Sequence, residues 1–416
     1  MRVGLVVPGF SADDEDWCIP VLVDAAKELA RRVDLDIFTL RYPPHRAGYR
    51  VFRAQVHAFG GPASGGVGRF PLLSRAIAAI VREHRARPFA ALHGVWADEP
   101  GFVATSAARL LSIPAGVSIM GGELVGIENI GYGGRLSRLN RLLTVGALRQ
   151  ARVVTAASEA NLARARDLLP SRLTGKVRRL VWGADPDLFR PATAHSRRSP
   201  ELRLLHVGSL VPVKDQATLI SAAALVRARG IPMRLAIAGD GPLRGRLELQ
   251  SRALGLTGVV TFHGQLARPR LAALYRESDA LVVSSMHEGQ SLAAVEAALC
   301  GVALVGTRVG LLADLAPSAA VAVPVGDAEA LAGALTGVAG HDRRRSLAAA
   351  ASEIAARDFT ADTSAQRLLA MLGVTGARTG RVVMPALEAP DAAEVRGYEM
   401  SQARAVAPRQ GGGFRD

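Results

Sequence analysis

The sequence predicts an α/β protein built from two doubly wound, largely parallel sheets, and three observations carry this prediction. Short apolar runs alternate with longer amphipathic segments along most of the chain, which is typical of β–α–β units. The apolar runs are continuous, and this indicates strands that are buried on both faces. The pattern stops near residue 191 and restarts after residue 200, so we expect two Rossmann-like domains of similar size.

The first half of the chain supplies the elements of the first expected sheet. The expected strands are 2–7, 35–40, 89–93, 115–120, 152–156 and 177–181. The expected helices are 19–32, 72–85 and a segment after Pro100. Pro20 falls in the first turn of its helix, where a missing N–H leaves no bond unmade.

The second half repeats the pattern after a linker rich in Pro, Ser and charge at 191–200. The expected strands are 202–207, 233–238, 259–263, 280–284 and 302–305, and the expected helices are 216–229, 243–254, 268–276 and 291–300. We therefore predict an N-terminal domain at 1–190, a C-terminal domain at 201–355, a last helix at 356–372 and a flexible tail at 374–416.

Composition excludes several classes of protein. The 416 residues include 51 Lys+Arg against 37 Asp+Glu, a net charge of +14, with 49% hydrophobic residues and two cysteines. This excludes a disordered chain and a disulfide scaffold, and no apolar run reaches the ~18 residues of a spanning helix. Because the first expected strand begins at Arg2, we expect no signal peptide and a cytoplasmic protein. The basic excess favours nucleic acid, an anionic membrane or a phosphate-bearing ligand.

The segment Ser284–Gly310, SSMHEGQSLAAVEAALCGVALVGTRVG, is the most specific in the chain. Glu288 ends a strand-to-helix loop and Glu296 follows eight positions later, about two turns into a helix expected to start near Gln290. The two carboxylates are therefore placed to touch different parts of one extended ligand. The backbone N–H groups between them, at the start of the helix, suit a phosphate; they belong to Gly289, Gln290, Ser291 and Leu292.

Glu-x7-Glu followed by Ala, a small residue, Gly, a hydrophobic run and Thr resembles retaining glycosyltransferase family 4, among the glycosyl transferases of group 1. The resemblance covers roughly residues 1–372 and is strongest after Val181. It implies the GT-B fold, with two facing Rossmann-like domains and a C-terminal helix that crosses back to the first. It also implies a metal-independent, retaining hexosyltransferase without a cofactor. Such an enzyme moves a sugar from a nucleoside-diphosphate sugar to a glycan, lipid or small-molecule acceptor.

The resemblance also implies the donor-binding residues. The loop 206–215, HVGSLVPVKD, resembles the family's donor-diphosphate loop, with Ser209 at the usual arginine position. Glu288 would contact the donor sugar and Glu296 the ribose. The remaining implied positions are Gly208 and Lys214 for the diphosphate, Gly239 and Gly241 in AGDGP near the nucleotide, and Gln265 and Leu266 after TFHG near the base.

In the first domain the resemblance is thinner. Gly9 is the one glycine kept in the loop after the first strand, and HGVW places His93 at a strand end. SIMGGE, 118–123, stands where many members carry a histidine that contacts the donor sugar, so Met120 or Gly121 holds that place. The implied catalytic residues are Lys214, Glu288 and His93, although a buried structural role for His93 stays open.

Three alternatives remain open at this point. Five arginines project onto one ~120° arc of a helix over 135–152, beside an apolar arc, and this favours an anionic membrane surface over nucleic acid, because aromatic residues are only 5%. In that case the protein would bind peripherally to the inner face of the membrane. The second alternative is that the five arginines form an ordinary solvated helix face. The third alternative is a non-catalytic relative that binds nucleotide or glycan. The five residues are Arg135, Arg138, Arg141, Arg149 and Arg152.

Overall fold

The computed structural model describes residues 1–13, 16, 18–61, 69–192 and 201–374. The predicted tail beyond Val374 and most of the predicted linker, 193–200, lie outside the described residues. The predicted domain bounds stay a prediction; the description below follows the two sheets.

The first sheet lies within residues 2–179. Its strands are β1 (Arg2–Gly9), β2 (Asp34–Tyr42), β3 (Arg46–Val51), β4 (Ala54–Phe59), β5 (Ala91–Val95), β6 (Ala115–Ile119), β7 (Val153–Ala156) and β8 (Val177–Arg179). Its helices are α1 (Pro20–Ala30), α2 (Arg69–Ala86), α3 (Glu99–Leu111), α4 (Arg138–Gln150) and α5 (Glu159–Asp167). The strand order is β3-β4-β2-β1-β5-β6-β7-β8, parallel except where β3 meets β4.

The second sheet lies within residues 202–323. Its strands are β9 (Leu202–Val207), β10 (Met233–Ala238), β11 (Val260–Gly264), β12 (Ala280–Val283), β13 (Ala303–Thr307) and β14 (Ala320–Val323). The order is β11-β10-β9-β12-β13-β14, and every pair is parallel. The remaining helices are α6 (Gln216–Ala228), α7 (Arg244–Ala253), α8 (Arg268–Glu277), α9 (Leu292–Leu299), α10 (Gly310–Leu315), α11 (Ala328–Gly337), α12 (His341–Asp358) and α13 (Ala361–Met371).

The hairpin formed by β3 and β4 was not predicted from the sequence. β3 is the edge strand, and its residues alternate between exposed and half-buried positions, so it lacks the continuous apolar run of the other strands. Its two-residue turn, Phe52 and Arg53, has positive φ angles of 50° and 71° without a glycine or asparagine to signal it. The hairpin therefore gave no recognisable pattern.

The last helix, α13, packs against the first sheet, as the resemblance implies. Ala365, Leu368 and Leu372 lie in one buried cluster with Leu5 of β1 and Leu22 of α1. The fold class, with its crossover helix, is thereby confirmed.

The connection before the second sheet is tied to the start of this helix. The Ser364 hydroxyl accepts a hydrogen bond from the Gly183 N–H at 2.7 Å and donates to the Val181 carbonyl at 2.9 Å. A Cβ at Gly183 would lie 2.2 Å from the carbonyl carbon of Thr360, so only glycine allows this approach.

Ion pairs join elements of the first half to elements of the second, among them Arg32 with Asp362. Arg268 at the start of α8 binds the Asp24 carboxylate of α1 through two N–H groups, one of them at 2.7 Å, and both side chains are less than 10% exposed. Arg179 of β8 binds Asp314 of α10 at 3.0 Å. Removing one partner of the Arg268–Asp24 pair would leave an uncompensated buried charge, so each side chain needs the other in this arrangement.

Each sheet has one position where the chain order reverses. In the first sheet it lies between β1 and β5, and in the second between β9 and β12. Ligands of doubly wound sheets bind outside the carboxyl ends of the strands at such a switch point. We call the carboxyl ends of the strands at these two switch points the first-sheet edge and the second-sheet edge; the terms do not refer to the outermost strands.

The predicted basic helix over 135–152 is not continuous. Gly134–Leu136 form a 3₁₀ turn, and α4 begins only at Arg138, where the Ser137 hydroxyl accepts the Asn140 N–H. Arg135 and Arg152 therefore lie outside the helix, and the single arc of five arginines is wrong for these two. All five arginines are nevertheless exposed. Among the described residues, no helix combines the length and apolarity needed to cross a bilayer.

Candidate functional site

The second-sheet edge brings together two loops that the sequence predicted to bind a donor. The chain leaves β9 at Gly208 and reaches Lys214 in a short 3₁₀ turn, Pro212–Lys214. The Lys214 ammonium donates to Glu288 Oε1 at 2.6 Å, and the Ser285 hydroxyl donates to the same oxygen at 2.7 Å. A Cβ at Gly208 would lie 3.5 Å from Lys214 Cε, so the lysine chain runs directly over this glycine.

The electrostatics of this cluster keep Glu288 ionised. Burial by itself would raise the pKa of Glu288, but the charge and hydrogen bond of Lys214, the Ser285 hydroxyl and His287 lower it below its ordinary value. The two side chains are 25% and 10% exposed, so the pair can be reached from the edge. A cation and a carboxylate side by side can bind the phosphate and the hydroxyls of one ligand.

Two predicted glycines form the floor beside this pair. A Cβ at Gly239 would lie 2.0 Å from the Gly208 carbonyl oxygen, and a Cβ at Gly241 would lie 2.6 Å from the Leu210 oxygen. Their φ angles, 137° and 159°, belong to conformations that side chains rarely adopt. The Gly239 turn therefore packs on the loop that carries Lys214 only because both residues lack side chains.

The loop before α9 differs in detail from the prediction. The helix begins at Leu292, after Ser291 with a positive φ of 75°, rather than near Gln290. The Ser291 hydroxyl accepts the Ala294 N–H and caps the helix. The Gln290 side chain is not directed at a donor: its oxygen accepts the Trp182 N–H at 2.8 Å and its amide donates to the Trp182 carbonyl at 2.6 Å. The Gln290 side chain thus fixes the connection between the two sheets, and the predicted phosphate contact of its backbone N–H stays a prediction.

Glu296 lies deeper in the protein than Glu288. It is 4% exposed, and the Tyr275 hydroxyl donates to its Oε2 at 2.9 Å. Burial raises the pKa of Glu296 to about 7, although Tyr275 and Arg268 oppose this and Asp24 reinforces it. The carboxyl is thus poised between its protonated and ionised forms near neutral pH.

The remaining predicted donor positions lie at strand ends. Ser209 and Gln265 are exposed, whereas Leu266 is half-buried against the core of the second half. Gly9, at the end of β1, packs so closely that a Cβ would lie 3.2 Å from Cys18 Sγ and from Tyr42 Cβ. Gly9 therefore belongs to the first-sheet edge and not to the group around Lys214.

The first-sheet edge contains a carboxylate that sequence reasoning missed. Glu123, 4% exposed, accepts the N–H groups of Met120, Gly121 and Ala97 at 2.9, 2.6 and 3.2 Å. Its partners are backbone amides from two strand ends, so no local residue pattern announces them. Nearby, burial raises the pKa of Asp98 to about 7, with Glu123 and Glu99 adding to the rise. The carboxyl groups of Glu123 and Asp98 therefore lie at this edge, where the second-sheet edge presents a lysine.

His93 does not reach a ligand surface in this structure, and the prediction of a catalytic role is not supported. The side chain is 0% exposed, its Nε2 lies 2.8 Å from the Ser118 hydroxyl, and its ring lies 6.1 Å from that of Trp182. Burial lowers the pKa of His93 to about 3, so the ring is neutral. A buried structural role, which the sequence left open, fits these contacts.

The two edges touch each other beside Glu288. A Cβ at Gly289 would lie 2.0 Å from the Met120 carbonyl oxygen, and the His287 Nε2 lies 3.3 Å from the Gly121 carbonyl oxygen. The Tyr132 ring lies 6.1 Å from the His287 ring. Gly289 is therefore required for the contact between the sheets, in addition to its predicted place at a helix start.

Other places that could hold a ligand are less suited. One depression of about 480 Å³ lies between α2 and α3, and another of about 450 Å³ lies beside Pro191 and Arg276. Within the described residues, Asp36, His57 and Glu83 lie close enough to share a metal ion. The Arg2 guanidinium binds both carboxylates of that group, at 2.6 and 3.3 Å, and so supplies the positive charge itself.

Comparison with protein families matches the second half of the chain. Residues 193–353 match the model of glycosyl transferases group 1. A D-inositol 3-phosphate glycosyltransferase of Rhodococcus erythropolis is 36% identical over 141 residues, which is 31% of this chain and 32% of that protein. A GDP-mannose-dependent alpha-(1-6)-phosphatidylinositol dimannoside mannosyltransferase of Mycobacterium tuberculosis is 31% identical over 206 residues, or 47% and 52% of the two chains. This chain thus spans about a third to a half of the length of these relatives.

Solved structures resemble the fold over most of the chain. A sucrose-phosphate synthase of Thermosynechococcus elongatus has a TM-score of 0.72 at 20% identity and covers 88% of this chain and 97% of its own. HepE of Anabaena, in complex with UDP and glucose, has a TM-score of 0.69 at 18% identity and covers 90% and 100%. These likenesses confirm the predicted GT-B fold. The matched segment confirms the resemblance to glycosyl transferases group 1.

Proposed function

We propose that the protein transfers a sugar from a nucleoside-diphosphate sugar to the hydroxyl of an acceptor and retains the anomeric configuration. The observation that carries this proposal is the Lys214–Glu288 pair at the second-sheet edge, floored by Gly208 and Gly239. The match of residues 193–353 to glycosyl transferases group 1 supports it, because that segment holds the whole pair and its floor.

The donor would lie with its diphosphate over this edge. Lys214 provides a point charge, exposed Ser209 a hydroxyl, and the capped start of α9 a set of backbone N–H groups. Preorganised hydrogen-bond donors and cations of this kind stabilise the negative charge that develops as the diphosphate leaves. Glu288 would accept hydrogen bonds from the sugar, and Glu296, two turns further on, from the ribose.

The proposed reaction is metal-independent. The bond between the anomeric carbon and the diphosphate oxygen breaks, and the acceptor oxygen bonds to the anomeric carbon on the same face. The departing phosphate oxygen takes the acceptor proton, so the step needs no separate base. The contact between the two edges at Gly289 would help to keep water away from the donor.

The proposal covers donors with different nucleotide bases. HepE of Anabaena is bound to UDP and glucose, and the mycobacterial relative is named as GDP-mannose-dependent. Thermal-shift screening of UDP-, GDP- and ADP-sugars would identify the donor, because a bound ligand raises the melting temperature.

Turnover tests the proposal itself. The purified protein, given the donor found by screening and a panel of sugar, inositol and lipid acceptors, should release the nucleoside diphosphate. NMR of the product should show the anomeric configuration of the donor. A donor that binds without release of nucleoside diphosphate would favour the non-catalytic alternative. An inverted product would overturn the retaining mechanism.

We further propose that the surface around α4 contacts an anionic membrane that carries the acceptor. Leu142 is 71% exposed and Leu136 43%, among five exposed arginines of this region. The Arg69 guanidinium donates to the Asn140 side chain at 2.8 Å, which brings the start of α2, with Phe70 56% exposed, next to α4. Exposed apolar side chains among arginines suit the boundary between lipid headgroups and acyl chains.

Co-sedimentation with vesicles tests the membrane contact. Wild-type protein should bind vesicles with anionic lipid more strongly than neutral vesicles, and Arg138→Glu with Arg141→Glu should abolish the difference. The matched control is Arg246→Glu with Arg252→Glu on the exposed side of α7. Equal binding by both double variants would contradict a specific role for α4.

A further inference from the structure

Tyr132 lies at the junction between the two edges, and its hydroxyl has no role in the site described above. Tyr132 belongs to the loop between β6 and α4, and its backbone pairs with Ile127 through N–H···O bonds in both directions at 3.1 and 2.7 Å. This pairing fixes the position of the residue. The side chain is half-buried, and its hydroxyl has no hydrogen-bond partner within the described part of the chain.

The sequence around Tyr132 makes room for its ring. A Cβ at Gly122 would lie 2.7 Å from Tyr132 Cε1 and 2.9 Å from its hydroxyl oxygen, so the ring packs directly against a residue without a side chain. A Cβ at Gly121 would lie 3.9 Å from the same oxygen. The two adjacent glycines thus form a seat for the phenol.

This packing places Tyr132 beside His287 and Glu288, which lie next to the proposed donor site. Its ring lies 6.1 Å from that of His287, the neighbour of Glu288 in the chain. Burial, with the charges of Glu288 and Glu123, raises the pKa of Tyr132 to about 12. The phenol therefore keeps its proton at neutral pH and acts as a hydrogen-bond donor.

A protonated phenol and an ionised carboxylate on opposite sides of one junction are chemically complementary. The Glu288 carboxylate accepts hydrogen bonds from sugar hydroxyls, whereas the Tyr132 phenol donates to a sugar oxygen. Two such groups, one from each edge, would fix a sugar ring between the sheets. The second-sheet edge by itself supplies the diphosphate contacts.

Resting on the function proposed above, we propose that the Tyr132 hydroxyl binds the transferred sugar of the donor, opposite Glu288, and does not bind the diphosphate. The ligand chemistry is an oxygen of a hexose ring or one of its hydroxyls. The nucleoside diphosphate without the sugar would lack this contact.

Calorimetry with two ligands tests the inference. Tyr132→Phe should bind the nucleoside diphosphate within about twofold of wild type, while its affinity for the corresponding nucleotide sugar falls about threefold to tenfold, as expected for one hydrogen bond. Gly122→Ala, which would displace the ring, should give the same pattern. The matched control is Tyr49→Phe on β3, whose hydroxyl donates to the Ser11 carbonyl; it should leave both affinities unchanged.

Each result decides between specific outcomes. An equal loss of affinity for both ligands would show that Tyr132 only supports the fold, and unchanged affinity for both would show that it does not touch the sugar; either result overturns the inference. If wild-type protein binds none of the UDP-, GDP- and ADP-sugars, the proposed function fails and this inference with it. If Lys214→Ala weakens both ligands while Tyr132→Phe weakens neither, only the Tyr132 assignment fails.

Discussion

The two sheet edges are alike in topology but opposite in chemistry. Both are switch points of doubly wound sheets. At the second-sheet edge Lys214 and Glu288 bind each other and remain partly exposed. At the first-sheet edge Glu123 is buried and held by three backbone N–H groups, and the pKa of Asp98 is raised by burial.

The comparison separates the two halves of the proposed reaction. The cation and backbone amides of the second-sheet edge favour an anionic diphosphate, whereas Glu123 and Asp98 of the first-sheet edge offer it no positive charge. Hydroxyl groups of an acceptor suit carboxylates, which accept their hydrogen bonds. Perturbing the second-sheet edge should therefore change nucleotide binding, and perturbing the first should not.

Gly239→Val is expected to have the largest effect on nucleotide binding, because its side chain would force apart the two backbone loops of the second-sheet edge. The new Cβ would lie 2.0 Å from the Gly208 oxygen, at a φ of 137°. Affinity for the nucleoside diphosphate should fall more than about 100-fold by calorimetry. The matched control is Gly245→Ala in α7, where a Cβ meets nothing within 4 Å. Wild-type affinity in Gly239→Val would show that the two loops need not touch.

Glu123→Gln should change the first-sheet edge without changing nucleotide binding. The amide oxygen can replace Oε1, which accepts the Met120 and Ala97 N–H groups, but the amide nitrogen cannot accept the Gly121 N–H. That bond is lost, and the free energy of unfolding should fall by about 1–3 kcal/mol. Thermal denaturation and calorimetry measure the two quantities. Glu128→Gln, exposed in the same loop, is the control. A large loss of nucleoside diphosphate affinity would erase the distinction between the edges.

Glu296→Gln should change the stability of the protein in a way that depends on pH. The pKa of Glu296 is about 7 in the folded protein, against an ordinary 4.5, so the folded state holds a proton that the unfolded chain releases. This stabilisation is present below pH 4.5 and is lost as the pH rises through 7. The melting temperature of the variant, measured relative to that of wild type, should therefore increase as the pH rises from 5 to 8. Exposed Glu353→Gln should show no such trend.

The resemblance implied more residues of the second-sheet edge than of the first. Lys214, Glu288 and Gly239 follow strand ends within motifs whose resemblance to glycosyltransferase family 4 implied their roles. The partners of Glu123 are backbone amides, which leave no mark on the sequence.

Contacts between distant parts of the chain also escaped prediction. The Asp24–Arg268 pair is separated by 244 positions, and nothing local indicates it. The side chain of Gln290 binds the Trp182 backbone from the other half of the chain, a contact that the prediction for its backbone N–H group did not include. The break at Ser137 in the basic helix depends on a capping bond that periodicity does not reveal.

The central claim is that Lys214 at the second-sheet edge binds the diphosphate of a nucleotide sugar. Calorimetry of Lys214→Ala with the nucleoside diphosphate tests it most directly, beside Lys27→Ala, which changes a lysine of α1 that lies over the Phe52 ring. We expect the Lys214 variant to lose about tenfold to 100-fold in affinity while the Lys27 variant binds as wild type. Equal affinity in both variants, with the melting temperature unchanged, would contradict the account.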